Sequence, residues 1–386
     1  MKDKTSILQI TPYYPPDYEF GGPVKLVPEL CEELSDNFNI TVYTYIHKDK
    51  NNYQDNSKFA VKRFAPFNRK IAKKLNCYYS SSLIKYLKTN IQNYSLVHTH
   101  DFRSFHNIAL IKLCQKNKIP VIMSAYKSID PLTGQSFLKK IFDLFFGKRI
   151  ISYVDHFIAV SEYEKEDIMK FGVSGNKITI IPNCVKKEDF SSEPNSFRAK
   201  YNIDKSKKIL LFFSRLHKSK RPDISIKSFI SVKNALKDVI LIIYGPDNGE
   251  LKNLQHLAES LKIDKDVIFI PNIAGEEKNS VYNEADLLIQ PSPYNEFPLV
   301  LVEAMAHGLP IITSDQSIRK YINNKCGKVI PCDADIYSQS IIDLLMNEGE
   351  YNKYKQQAQE IFLANFTLDR YLEKLIDVYK IYLKRL

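Results

Sequence analysis

The chain predicts a two-domain α/β protein in which each domain is a doubly wound parallel sheet. Three observations carry this. Short apolar runs recur along the chain with amphipathic helical stretches between them. Short apolar runs at this spacing imply parallel strands buried on both faces. Between them the segment Val185–Lys208, VKKEDFSSEPNSFRAKYNIDKSKK, turns polar and reads as a linker with a docking helix. With 386 residues, 44% of them hydrophobic, two full cores are affordable.

The elements follow in order. Strands are expected at Ile7–Thr11, Ile40–Tyr45, Val61–Phe64, Leu96–His100, Val121–Ala125, Phe157–Val160 and Ile178–Ile181. Helices such as Val24–Leu34, Ser80–Thr89 and Asn107–Asn117 separate several of them. A second series has strands at Ile209–Phe213, Val239–Tyr244, Val267–Ile270, Leu287–Gln290 and Ile311–Thr313. Its helices include Ile224–Leu236, Leu251–Leu261 and Leu299–Ala306. The domains are expected at residues 1–190 and 191–367. The last segment, 368–386, is a strongly amphipathic helix (LDRYLEKLIDVYKIYLKRL).

Composition narrows the function classes. No apolar run approaches the roughly 18 residues of a membrane-spanning helix. The first residues, MKDKTSILQITPYYPP, lack the apolar core of a signal peptide. The six cysteines show no C-x-x-C spacing and no accompanying histidine cluster. Reduced thiols, a cytosolic setting and no structural zinc are expected. The net charge of +11 is uneven. Up to residue 190 there are about 28 Lys and Arg against about 19 Asp and Glu, and the rest is near neutral. A basic first half suits anionic headgroups or phosphorylated acceptors, or is a solvated basic surface. Nucleic acid is disfavoured, because the cations lack interleaved stacking aromatics.

Three segments carry chemistry. In Ile209–Phe229, ILLFFSRLHKSKRPDISIKSF, the cations Arg215, His217, Lys218, Lys220 and Arg221 lie just past a strand's carboxyl end. That place suits a diphosphate in an open-sheet crevice, though a basic surface loop is the plain reading. In Ala285–Pro310, ADLLIQPSPYNEFPLVLVEAMAHGLP, a strand, a short turn and a helix N-terminus follow one another. Free amides and the helix dipole then point into the turn. Glu303 sits inside this apolar helix and, once buried, requires partners. Gly21 and Gly22 lie between the first strand and first helix, where backbone can approach a phosphate closely or simply turn.

Together these segments resemble the signature of glycosyltransferase family 4, retaining nucleotide-sugar enzymes of the GT-B fold. The likeness covers nearly the whole chain and is strongest over residues 209–315. It implies two Rossmann-like domains facing a central cleft, acceptor-side first and donor-binding second, with the last helix crossing back to the first. By position, Arg215 and Lys220 would neutralise the donor diphosphate as the catalytic cations. Glu303 would accept hydrogen bonds from the ribose. Gly21, Gly22 and Gly245 would line donor phosphate and base. Asn295, Glu296, Phe297, Pro298 and Leu299 would hold sugar and phosphate.

Departures from the family pattern are also implied. Asn295 stands where the family has its first glutamate, with Glu296 one residue out of register. Tyr126-Lys127 replaces His-Gly after the Val121–Ala125 strand. Ser214 and Arg221 replace the glycines flanking the cationic segment, and Cys184 replaces the glycine of I-P-N-G. Tyr126 and His100, the latter at the end of LVHTH, are candidate sugar or acceptor contacts. The resemblance implies a metal-independent, cofactor-free transfer from a UDP- or GDP-sugar to a glycan or lipid-linked acceptor in surface polysaccharide synthesis. The alternatives are a nucleotide-sugar-binding scaffold subunit and a GT-B-fold epimerase. Finally, Phe137–Ile151, FLKKIFDLFFGKRII, mixes apolar residues with four cations. It can lie in an anionic membrane interface or pack as a core helix with its lysines in water.

Overall fold

A computed structural model describes residues 4–18, 22–46, 55, 58–68, 78–129, 140–187, 196–271, 275–294 and 297–384. The chain forms two compact units, Met1–Pro182 with Asp369–Leu386, and Asn183–Leu368. The division falls ahead of the expected boundary at residue 190.

The first unit is a parallel seven-stranded sheet. Its strands are β1 (Ser6–Ile10), β2 (Asn39–Tyr45), β3 (Ala60–Phe64), β4 (Leu96–His100), β5 (Val121–Ser124), β6 (His156–Ala159) and β7 (Ile178–Ile180). They run in the order β3-β2-β1-β4-β5-β6-β7. The order reverses between β1 and β4, so a crevice opens beyond their carboxyl ends. The Gly22–Leu34, Ser81–Asn90 and Phe105–Lys116 helices lie where amphipathic spacing placed them. The C-terminal helix, Leu368–Leu383, belongs to this unit through Tyr379, which bonds Gln9 on β1 and His98 on β4.

The second unit is a parallel six-stranded sheet in the order β10-β9-β8-β11-β12-β13. Its strands are β8 (Lys208–Phe213), β9 (Val239–Tyr244), β10 (Val267–Ile270), β11 (Leu287–Gln290), β12 (Ile311–Thr313) and β13 (Gly327–Val329). The switch point lies between β8 and β11. Sequence patterning missed β13, which is short and includes Gly327. A Cβ there would sit 1.8 Å from the Ile311 carbonyl oxygen, so glycine permits this edge strand to pair. Also missed were the Ala334–Met346 and Glu348–Asn365 helices, whose hydrophobic periodicity is diluted by charged and amide side chains.

The core of the second unit gathers Leu210, Phe212, Leu241, Ile243, Leu287 and Ile289 against the Pro222–Leu236 and Ala334–Met346 helices. These are alternate residues of β8, β9 and β11. The other set, with Phe213 and Gln290, therefore faces the opposite side of the sheet.

Candidate active site

In the second unit both loops at the switch point are built tightly. Beyond β8 the chain passes through Ser214–Leu216 into a turn of 3-10 helix, Lys218–Lys220. His217 caps that turn by accepting from the Ser219 amide at 3.2 Å. Leu216 and the neighbouring loop are stitched together. Its amide donates to the Pro246 carbonyl at 2.9 Å, and its carbonyl accepts from the Asn248 amide at 3.2 Å.

Gly245 makes this approach possible. Its φ is +146°. A Cβ there would lie 2.0 Å from the Ser214 carbonyl oxygen. The role visible for Gly245 is thus to let two backbones meet.

Lys220 is buried, whereas Arg215 is exposed and makes no side-chain bond or ion pair with the described residues. Arg221, standing where the family carries glycine, has φ +53°. The left-handed backbone that glycine adopts freely is here adopted by a non-glycine residue. Arg221 is held there by a two-pronged pair with Asp223, at 2.9 and 3.1 Å. Pro222 then opens the next helix at a position where no amide donor is needed.

The β11 loop faces this one. Ser292 Oγ donates to the Ser219 carbonyl at 3.3 Å, joining the two. Phe297 is buried with φ +50°. Its amide donates to Ser317 Oγ and its carbonyl accepts from Asn183 Nδ2, both at 3.0 Å. Pro298 precedes the Leu299–Ala306 helix and supplies no side-chain cap. The Leu301 amide closes on the Pro298 carbonyl at 3.1 Å, which leaves the Leu299 and Val300 amides with capacity for an anion.

Glu303, on that helix, is buried. One carboxylate oxygen accepts from Lys278 Nζ and the other from the Tyr282 hydroxyl at 3.0 Å. Tyr282 stacks on Phe213 (5.3 Å) and on His307 (5.2 Å). Burial, and then the Glu303 charge, push the Tyr282 phenol far up, so it stays a donor. Burial holds His307 down at about 4. Each carboxylate oxygen has a further lone pair, so Glu303 can accept from a ligand hydroxyl while fixed by Lys278 and Tyr282.

Gln290 ends β11 on the same sheet face as Phe213, is 1% exposed, and neither amide atom finds a hydrogen-bond partner among the described residues.

In the first unit, a polar chain crosses the carboxyl ends of β1, β4 and β5. Gln9 Nε2 donates to the Tyr379 hydroxyl (2.9 Å), which bonds His98 Nδ1 (2.7 Å). His98 Nε2 reaches Ser124 Oγ at 2.9 Å. Gln9 Oε1 meets His100 Nε2 (2.9 Å), and His100 Nδ1 meets the Tyr126 hydroxyl (3.2 Å). With the amide so oriented, both imidazoles carry the proton on Nε2 and accept at Nδ1. Burial holds both histidines neutral, His98 further lowered by its neighbour and His100 down at about 3.

His100 is therefore enclosed, 2% exposed, with both nitrogens engaged inside the unit, and Tyr126 stacks over it at 5.8 Å. Of the pair expected to touch sugar or acceptor, Tyr126 is the more accessible. Tyr126 and Lys127 both have positive φ, +48° and +63°. This left-handed backbone is adopted without glycine. It is held by the Lys127 amide bonding Glu164 and by Lys127 Nζ pairing with Asp167 at 3.0 Å.

The switch-point loops of the second unit thus bring Arg215, Lys220, Gly245, Phe297, Pro298 and Leu299 to one sheet end, with Glu303 on the helix that follows. Gly22 begins the first helix of the first unit. Gly21, Asn295 and Glu296 lie outside the described residues. Missed from sequence were Gln9, Glu164, Lys278, Tyr282 and Gln290. One signal marks Gln9 and Gln290: a polar residue inside an apolar strand run must be paired or used.

The comparisons agree with this architecture. The family described as "Glycosyltransferase Family 4" matches residues 20–189, and "Glycosyl transferases group 1" matches residues 194–361. An uncharacterised glycosyltransferase of Methanocaldococcus jannaschii is 23% identical over 305 residues, 75% of this chain and 76% of the relative. The crystal structure of Anabaena HepE with UDP and glucose is similar at a TM-score of 0.78 and 16% identity, covering 97% of this chain and 99% of that one. WaaG, a glycosyltransferase involved in lipopolysaccharide biosynthesis, has a TM-score of 0.69 at 18% identity, covering 96% and 99%. Two parallel Rossmann-like sheets, cations and a helix N-terminus at the second switch point, and family matches over both halves place the chain in glycosyltransferase family 4, with the GT-B fold.

Proposed function

We propose that the protein transfers a sugar, with retention and without a metal ion, from a nucleotide sugar to a glycan or lipid-linked acceptor in surface polysaccharide synthesis. The observation that carries this is the pairing of Arg215 and Lys220 with the Pro298–Leu299 helix start at one switch point. The departing nucleoside diphosphate develops negative charge. The buried Lys220, the exposed Arg215 and the helix-start amides at the same sheet end oppose that charge. Retention follows when the acceptor attacks the face from which the diphosphate leaves, and catalysis is then positioning plus leaving-group stabilisation.

Glu303 receives ribose hydroxyls, oriented by Lys278 and Tyr282. The donor is of UDP or GDP type. HepE was solved with UDP and glucose, which makes UDP-sugars the first to test. The acceptor's pathway is supported by the likeness to WaaG. The enzyme works in the cytoplasm, attached peripherally at the inner membrane face.

The test is a transfer assay with UDP- and GDP-sugars against lipid-linked acceptors, with the anomeric configuration of the product read by NMR. An α-linked sugar product from an α-linked donor is expected. An inverted product, or nucleotide binding without turnover on any acceptor, overturns the reading; the latter outcome is that of a scaffold subunit.

A further inference from the structure

We propose that residues 140–149 form a seat for an anionic lipid bilayer. The inference deepens the proposed function, resting on its placement of the acceptor at a membrane. The exposure pattern along this segment carries it. Lys140, Ile141, Leu144, Phe145, Lys148 and Arg149 are exposed, while Phe142, Gly147 and Ile150 are buried. The exposed positions fall in pairs four residues apart, so they form one continuous stripe along the helical face.

The stripe has an order. Its middle is apolar: Leu144 is 76% and Phe145 68% exposed, with Ile141 beside them at 39%. Its two ends are cationic, Lys140 at one and Lys148-Arg149 at the other. The one acid of the segment, Asp143, is taken inward by Arg103 at 2.6 Å. Lys140, Lys148 and Arg149 form no ion pair with the described residues. Next to the stripe, Ile108, Ile111, Phe146 and Ile150 line a shallow apolar groove together with Lys112 and Arg149.

The opposite face fixes the segment in the fold. Phe142 makes edge contacts with Phe102 (6.3 Å) and Phe105 (5.5 Å), and Phe146 lies 5.6 Å from Phe142. The stripe is thus presented by a packed element. An aromatic and two aliphatic side chains held in water are unfavourable unless something covers them. An apolar protein face would cover the middle and leave both cationic ends unanswered. Unpaired cations at both ends suit a surface that is apolar within and anionic at its boundary, which is a bilayer with acidic headgroups. The long cationic stems can lie along the apolar surface while their charges reach phosphate.

Flotation of the full chain with phosphatidylglycerol–phosphatidylcholine vesicles, against phosphatidylcholine alone, tests this. Binding to the anionic vesicles, weakened by high salt, is expected. Lys148→Gln with Arg149→Gln lowers the partition coefficient by about 25-fold, at about fivefold per cation. Leu144→Ser with Phe145→Ser abolishes binding even at low salt. All four side chains are exposed, so circular dichroism and melting should match the parent.

Binding unaffected by both double variants, binding to neither vesicle, or self-association through the stripe without lipid overturns the seat. Transfer to a water-soluble acceptor analogue is measured in the same preparations. Transfer without flotation removes the seat and the peripheral attachment but leaves sugar transfer standing, whereas flotation without transfer keeps the seat and removes the transfer reaction.

Discussion

At the scale of single residues, charge and satisfaction of buried polar groups decide what each side chain does. Arg215 is exposed and Lys220 buried beyond one strand, and no apolar packing explains why cations should stand there. Arg215→Ala and Lys220→Ala are each expected to lower kcat/KM by about 30- to 1,000-fold, the equivalent of about 2–4 kcal/mol of lost transition-state stabilisation. Steady-state kinetics with a verified donor and acceptor measure this, and near-parental turnover in both would remove them from the site. Gln290 poses a different question. Its amide is buried without a partner among the described residues, which costs about 1–3 kcal/mol when nothing pairs with it. Gln290→Leu is therefore expected to raise the stability of the ligand-free protein by about 1 kcal/mol in urea unfolding. A loss of stability would show that the amide is satisfied in solution.

At the scale of elements, the strand ends store what the loops need. β4 places two neutral histidines inside a closed hydrogen-bond chain. Their folded pKa values lie below the unfolded value of about 6.5, with His100 down at about 3. The unfolded chain therefore binds more protons as pH falls. Stability is complete above about pH 6.5 and declines down toward pH 3, by about 1.4 kcal/mol per pH unit for each histidine. Urea titrations at pH 7.5, 6.5 and 5.5 should show the decline, and His100→Gln should make it shallower by about one histidine's share. An unchanged slope would mean that His100 is protonated when folded. The glycine pattern belongs to this scale too. Gly245 cannot be replaced, because a Cβ would enter the Ser214 carbonyl. Gly245→Ala is expected to cost about 1–3 kcal/mol from backbone strain alone. Arg221 and Lys127 show the opposite case. Both have a positive φ where the family pattern has glycine, Arg221 held by Asp223 on the helix that follows and Lys127 by Glu164 on the Glu162–Lys170 helix.

At the scale of the whole molecule, the legible part was what periodicity encodes. Among the described residues, twelve of the thirteen strands lie where the sequence places them, most as apolar runs because strands covered on both faces tolerate little else; β3, AVKRF, has no buried residue and is the exception. The cationic loop and the buried glutamate were legible because motif spacing survives in one dimension. The partners of Glu303 were not: Lys278 and Tyr282 lie 25 and 21 residues away on another helix, and only packing brings them together. The closed environment of His100 was hidden for the same reason, since Gln9, Tyr126 and Tyr379 come from three distant segments. These limits shape the final test. If the second unit alone carries the nucleotide, ligand stabilisation should depend on its residues and not on the first unit's. Ligand at 100 times its Kd adds about 2.7 kcal/mol to the state that binds it, or about 5–11 °C for a unit of this size. A melting panel of UDP, GDP and ADP should yield such a shift for one base. Arg215→Ala with Lys220→Ala should abolish that shift, while Tyr126→Phe should leave it intact and impair transfer instead. A shift lost in Tyr126→Phe, or kept without both cations, would move the nucleotide to the first unit's strand ends and reverse the roles assigned to the two sheets.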